Sequence, residues 1–275
     1  MIRRRLRAFS GSSDPKKNSD LPIPPLPMRE LVGPTDIESF DNPSGDLVYP
    51  YLPEDAYRAF FDFGCGCGRV ARQLIQQRLR PEQYLGVDIH KGMIEWARQN
   101  LSPMASNFEF AHHDVYNLRF NPDAEDRWAP FPATDRSFSL VHALSVFTHL
   151  TEDQASYYLA EAARIVSADG YFLASWFLFD KTYFPMMPSD ANALYVSYVD
   201  PSAAVIYDRT WVAASAEKLD LVISQIFPPR IRGHQWTLIM RSKASGAAPA
   251  DWPADEAPIG KAVPPTGTFE AHRVT

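Results

Sequence analysis

Apolar and polar positions change rhythm near residue 59 of this 275-residue chain. From there, short runs that are apolar throughout alternate with longer stretches whose apolar positions recur every three or four residues. The runs near 59–63, 84–88, 108–111, 138–143 and 171–176 read as strands buried on both faces. Between them the rhythm at 68–78 (Val70, Ala71, Leu74, Ile75), 91–100 and 152–166 predicts helices with one apolar face. Thr151 is placed to cap the last of these, with Glu152 and Asp153 in its first turn. Such alternation predicts an α/β fold: a doubly wound, mostly parallel sheet with right-handed crossovers. Two later apolar runs, 219–227 and 235–240, are separated by Pro228, Pro229 and Gly233. They predict a terminal antiparallel pair, the last strand inserted beside the fifth, for seven strands in all.

The flanks lack this rhythm. Residues 1–20 are polar and are expected to be a disordered basic tail. Eight prolines punctuate 21–58, which is expected to wrap the domain as extended pieces and short helices. Residues 121–137 read as a loop before the fourth strand. From 244 to 275 the chain is rich in Ala, Pro and Gly and is expected to be a second disordered tail.

Composition excludes several function classes. The apolar fraction of 45% suits one sizeable core, and no apolar run approaches the roughly 20 residues of a bilayer span. No apolar stretch follows Arg3, Arg4, Arg5 and Arg7, so the start is not a secretory signal. With no disulfide framework either, the cytoplasm is the expected compartment. Net charge is −6, yet residues 1–20 hold six Lys/Arg against two Asp/Glu, which leaves −10 for the rest. An acidic body is a poor match for polyphosphate, so no nucleic-acid partner is expected.

The densest chemistry lies in Phe60-Phe61-Asp62-Phe63-Gly64-Cys65-Gly66-Cys67-Gly68-Arg69-Val70. A strand enters a loop with glycine at alternate positions, where φ > 0 and close approach to a ligand are both possible, and a helix follows. Twenty residues past Gly68, the run Tyr84–Val87 ends in Asp88, placed to accept from ribose hydroxyls. Together these features imply a cofactor containing a nucleoside. Gly66, Gly68 and Ala71 also satisfy a dinucleotide pattern. Asp62 argues otherwise, because a carboxylate at the strand tip opposes a pyrophosphate and attracts an ammonium or a sulfonium. Cys65 and Cys67 read as small side chains in a crowded loop.

The whole run Asp62-x-Gly64-Cys65-Gly66-x-Gly68-Arg69 resembles motif I of class I S-adenosylmethionine-dependent methyltransferases. Gly86–Ile89 with Met93, Ile94, Trp96 and Ala97, then Phe110–Val115, Phe138–Leu150 and Ala163–Leu173, resemble the motifs that follow in that family. The resemblance covers roughly 60–180, with a thinner echo to about 242. Two positions depart from the usual pattern: Ser139 stands where Asp is common, and Ala168-Asp169-Gly170 replaces Pro-Gly-Gly. The resemblance implies a Rossmann-like methyltransferase fold and S-adenosylmethionine as cofactor. It implies a single domain over 21–243, with the cofactor half at about 58–180 and an acceptor-covering insertion at about 177–215. Residue by residue, it puts Asp62 and the backbone of Gly64, Cys65, Gly66 and Gly68 at the methionine moiety. Asp88 would hold the ribose, Ile89 and Val115 would flank the adenine, and Asp114 would accept from its amino group. Ala143 and Leu144 would offer backbone to the aminoacyl end. Asp88 and Asp114 could instead cap the helices that follow them.

Methyl transfer needs alignment and sometimes a base, but no metal. His149 is the candidate base, against the alternative of a packing histidine at a helix start. His234, in Gly233-His234-Gln235, resembles an element of some bacterial small-molecule methyltransferases, against a plain surface turn. His112 and His113 are adjacent on a strand and point to opposite faces, so no metal is assigned. Phe177, Phe179, Tyr183, Phe184, Met186 and Met187 exceed what one edge strand needs and imply an apolar or ring-bearing acceptor. The expected function is methylation of a hydroxyl or amine on a small molecule, a sugar or a secondary metabolite. The alternatives are a nicotinamide-dependent oxidoreductase and a non-catalytic binding protein of the same fold. Neither the acceptor's identity nor the oligomeric state can be read from the sequence.

Overall fold

The computed structural model describes residues 21–231 and 233–253. Its sheet has nine strands: β1 (Ala59–Phe63), β2 (Gln83–Asp88), β3 (Phe108–His112), β4 (Phe138–Ala143), β5 (Val166–Phe179), β6 (Ala193–Tyr195), β7 (Val205–Asp208), β8 (Leu221–Phe227) and β9 (Trp236–Ser242). The α-helices are α1 (Leu26–Leu31), α2 (Arg69–Gln76), α3 (Lys91–Asn100), α4 (Glu152–Ile165) and α5 (Arg209–Lys218).

β1 is buried along its whole length, and its alternate residues serve opposite faces of the sheet. Phe61 and Phe63 pack with Phe131, Phe138, Tyr158 and Leu159 on the face carrying α4. Phe60 packs with Leu74, Tyr84 and Ile94 on the face carrying α2 and α3. Two covered faces are the reason the strand reads as a continuous apolar run.

The chain begins the sheet in its middle. It runs outward from β1 to β2 and β3, crosses back to β4 beside β1, and proceeds to β5, with all five strands parallel. The order therefore reverses between β1 and β4, and a crevice opens at the carboxyl ends of those strands. Along 172–176, β5 pairs with antiparallel β9, and β9 pairs in turn with β8. This is the doubly wound sheet with an antiparallel last strand beside the fifth.

The structure corrects the strand count from seven to nine. β5 extends past its expected end at 176, and residues 177–179 pair with β7, which pairs with β6. A hairpin from the insertion thus grows on the upper half of β5, while β9 occupies the lower half. The two unusual positions also gain reasons. Ser139 Oγ accepts from the Ala59 N–H at 2.8 Å and lies 2.9 Å from the Ala56 carbonyl, stitching β4 to the start of β1. At Gly170, within the first half of β5, a Cβ would stand 2.8 Å from both Val166 Cγ2 and Ser167 Oγ and 3.1 Å from the Phe138 carbonyl oxygen, so the strand is crowded there.

Residues 21–58 wrap the domain as expected, with α1 and two short 3-10 turns. Residues 244–253 are not a loose tail. The Ala250 N–H donates to the Ile223 carbonyl at 2.8 Å, and the Trp252 ring lies 6.0 Å from that of Trp236. The expected disorder of 1–20 and of 254–275 falls outside the described residues. No helix among the described residues is long and apolar enough to cross a membrane.

Candidate functional site

A cavity of about 420 Å³ fills the crevice at the tips of β1, β2 and β4. Its volume is within the range of small-ligand sites. Among the residues named from the sequence, Asp62, Gly64, Cys65, Gly66, Asp88, Ile89, Val115, Leu144 and His149 line it. Gly68, Asp114 and Ala143 do not.

The loop after β1 takes the conformation its glycines permit, with φ of 77° at Gly64, 54° at Gly66 and 81° at Gly68. The space that each glycine leaves is used by protein. A Cβ would fall 2.3 Å from Val146 Cγ2 at Gly64, 2.7 Å from Val32 Cγ1 at Gly66 and 2.4 Å from Leu101 Cδ1 at Gly68. Gly68 therefore serves helix packing behind the loop. The loop amides are also used internally. Gly64 and Cys65 N–H both donate to the Val87 carbonyl (2.8 and 3.1 Å), Gly68 N–H donates to the Cys65 carbonyl (2.9 Å), and Gly66 N–H donates to Asp88 Oδ2 (2.8 Å). The N–H groups at 64, 65, 66 and 68 thus all have partners within the protein.

Asp88 closes the loop from the tip of β2. Its Oδ1 accepts from the His90 N–H at 2.7 Å, so each oxygen holds one backbone donor and keeps a second lone pair. Burial raises its pKa, and the two backbone hydrogen bonds pull the other way. Capping of α3 falls to His90, whose Nδ1 accepts from the Met93 N–H at 3.3 Å. Asp62 is 2% exposed. Its Oδ1 is 2.7 Å from His142 Nδ1, and its Oδ2 accepts from the Tyr84 hydroxyl at 2.7 Å. Burial, and then the neighbouring Asp88 and Asp62 charges, push the Cys65 thiol pKa well up; burial takes that of Cys67 to about 12. Both thiols are buried and free.

Asp114 is exposed and accepts from Asn121 Nδ2 at 2.9 Å, outside the cavity wall. The wall there consists of Val115, Tyr116, Asn117, Arg119 and Phe120. Asn117 Oδ1 accepts from the Arg119 and Phe120 N–H groups, each at 3.0 Å, which shapes this turn. Ala143 is fully buried within β4. Leu144 and Ser145 supply the wall at that tip, and Ser145 holds a left-handed φ of 58°. Its N–H donates to Ser175 Oγ at 2.7 Å, and the Gln235 amide bridges the Ser145 and Ser175 hydroxyls. Of Gly233-His234-Gln235, then, Gln235 supports the site while His234 sits exposed in a turn.

His149 is exposed on the cavity wall, in a short 3-10 turn over Phe147–His149. Its Nδ1 lies 2.9 Å from the Ser202 carbonyl. A carbonyl only accepts, so Nδ1 carries the proton, and in the neutral ring Nε2 holds a lone pair. Ser202 belongs to the insertion, from which Asp200, Ser202 and Ala203 reach the cavity. The aromatic residues expected to cover the acceptor do not line it. Phe179 and Phe184 pack edge to face on each other, and Met186 is 94% exposed. His112 Nε2 contacts the Ile89 carbonyl and His113 Nε2 the Tyr158 hydroxyl, so the two rings have separate partners.

Sequence reading missed His142, Ser145, Gln235 and the strap Leu31–Gly33 that lines the cavity beside Gly66. Only His142 carried a signal, as a lone ionisable residue within the apolar run 138–144.

Part of the chain matches a known family. Residues 60–170 match the sequence profile of a family described as "Methyltransferase domain". Among solved structures, the chain resembles the PH0226 protein from Pyrococcus horikoshii OT3 at 16% identity, covering 67% of this chain and 81% of that one (TM-score 0.46). It resembles a TehB-like SAM-dependent methyltransferase from Corynebacterium glutamicum at 18% identity, covering 78% and 92% (TM-score 0.46). It also resembles NcsB1, an O-methyltransferase from neocarzinostatin biosynthesis solved with S-adenosyl-L-homocysteine and 1,4-dihydroxy-2-naphthoic acid, at 12% identity and TM-score 0.47. The match covers 70% of this chain and spans about half the length of NcsB1, 51%. Residues 60–170 are thus similar to a methyltransferase domain, in agreement with the motifs that this stretch of the sequence resembles.

Proposed function

We propose that this protein methylates a hydroxyl or amine of a small molecule, with His149 as the base. The observation that carries the reading is the 2.9 Å contact between His149 Nδ1 and the Ser202 carbonyl on the cavity wall. It fixes the tautomer and leaves Nε2 able to take a proton from an acceptor lying against Asp200, Ser202 and Tyr116.

The residues of the crevice fit the family's cofactor. Asp62 would face its ammonium end, Asp88 would offer its spare lone pairs to the ribose hydroxyls, and Ile89 and Val115 would flank the base. When bound, S-adenosylmethionine supplies an electrophilic methyl group on a sulfonium sulfur. The chain's part is to align an acceptor, exclude water and hold one proton at Nε2. The engaged amides of Gly64, Cys65 and Gly66 weigh against a nicotinamide dinucleotide, whose pyrophosphate would draw on such donors.

Calorimetry with S-adenosylhomocysteine and with NADH tests the cofactor assignment. Tight binding of the first and none of the second is expected, and the reverse pattern would sink the reading. A radiolabelled methyl-transfer screen over fractionated cell extract then tests the acceptor. Label is expected among small metabolites, and label in the RNA or protein fraction would overturn that part.

A further inference from the structure

Beneath the cofactor crevice runs a chain of four polar side chains, with Asp62, Tyr84 and His142 buried and Tyr49 partly so. The Tyr49 hydroxyl is 2.5 Å from His142 Nε2, His142 Nδ1 is 2.7 Å from Asp62 Oδ1, and Asp62 Oδ2 is 2.7 Å from the Tyr84 hydroxyl. His142 and Tyr84 are each 0% exposed. The sheet register makes the chain possible. Asp62 on β1 stands directly opposite His142 on β4 and Gly86 on β2. A Cβ at Gly86 would lie 2.9 Å from both the Tyr84 hydroxyl and Cys65 Sγ, so this glycine makes the room that Tyr84 uses. Tyr49 is itself clamped: its N–H donates to the Tyr57 hydroxyl at 2.7 Å, and that hydroxyl donates to the Tyr49 carbonyl at 3.1 Å.

One arrangement of donors and acceptors uses every hydroxyl and ring hydrogen along the chain. Tyr49 donates to His142 Nε2, His142 Nδ1–H donates to Asp62, and Tyr84 donates to the other carboxylate oxygen. Every proton is used once. Asp62 is left immobile, with one unused lone pair on each oxygen, in the cavity wall.

We propose that Tyr49 and His142 are positioning residues for the cofactor's cationic amino-acid end, acting through Asp62. The proposal rests on the cofactor reading above. It makes the segment before β1, which lies outside the matched residues 60–170, part of the binding site. Tyr49 supports Asp62 from below, while Val32 closes over Gly66.

Two ligands separate positioning from plain structural support. S-adenosylhomocysteine carries the ammonium, and 5′-methylthioadenosine shares the nucleoside but lacks the amino-acid end. Calorimetry on the full chain is expected to show Tyr49→Phe weakening S-adenosylhomocysteine about five- to tenfold, the worth of one net hydrogen bond. His142→Asn should weaken it by more, on the order of tenfold to a hundredfold, and both variants should bind 5′-methylthioadenosine as the wild type does. Equal losses for both ligands, or no loss for either, would overturn the proposal. Tyr49→Phe keeps ring and packing, so it decides the matter if His142→Asn does not fold. Wild-type protein that bound neither ligand would instead bring down the cofactor assignment, and this proposal with it.

Discussion

The two walls of the crevice are built on opposite plans. On the side proposed to hold the cofactor, polar groups are already paired with one another: Asp62 with His142 and Tyr84, Asp88 with two backbone amides, and three loop amides with Val87 and Asp88. On the side proposed to hold the acceptor they are exposed and only half used. His149 spends one ring nitrogen on Ser202, and Arg119 forms no ion pair among the described residues. A self-paired wall is rigid before any ligand arrives and so loses little entropy on binding. A half-used wall keeps its capacity for a ligand, and it can be changed without disturbing the fold.

The widest separation of the two walls should come from His149. His149→Ala is expected to lower turnover by about 10²–10⁴-fold while leaving S-adenosylhomocysteine affinity and melting temperature nearly unchanged. Steady-state kinetics beside calorimetry reads both quantities. Full turnover in the variant would leave alignment alone to carry the chemistry.

A second test uses pH and the packing behind the cofactor wall. His113 is buried against Phe63, Phe131 and Tyr158, and burial lowers its pKa from 6.5 to about 4. The unfolded chain then holds the proton more tightly between those values, so stability is complete above about pH 6.5 and declines toward pH 4. The loss attributable to this residue is about 3 kcal/mol. Denaturant midpoints measured from pH 7 to pH 4 should show the slope, and His113→Gln should flatten it. An unchanged slope in the variant would assign the acid sensitivity to other groups.

The smallest expected effect sharpens the contrast within the cofactor wall. Asp88→Ala should cost about 1.5–3 kcal/mol of S-adenosylhomocysteine binding, the range for hydrogen bonds to a charged group. Unlike His149→Ala, it should also lower the melting temperature, because Gly66 and His90 lose the acceptor that closes the loop. A folded variant with full cofactor affinity would remove Asp88 from the ribose role.

Residue patterns carried the five parallel strands, the helices between them and the first-named carboxylates, because each of these is local. The alternating glycines of 64–68 announce three positive φ values, and the apolar run at 59–63 announces a strand covered on both faces. Asp62 and Asp88 were legible because a strand tip beside a glycine loop is defined within a few residues. The expectation that Phe184 and Met186 would line the cavity failed for the opposite reason. An apolar count cannot tell which way a loop folds, and those side chains turned to one another or to solvent. The short β6–β7 pair went unread because three and four residues leave too little periodicity.

By itself, then, the sequence determined a doubly wound sheet and the glycine loop and carboxylates along its carboxyl edge, since strand period, glycine spacing and acid placement all act over a few neighbouring residues. Tertiary structure alone decided what surrounds that edge. Tyr49 meets His142 across 93 residues, Ser145 meets Gln235 across 90, and His149 meets Ser202 across 53. Such contacts are fixed by which distant strands lie side by side and by how loops close over the strand ends, and neither is encoded in any local pattern of side chains.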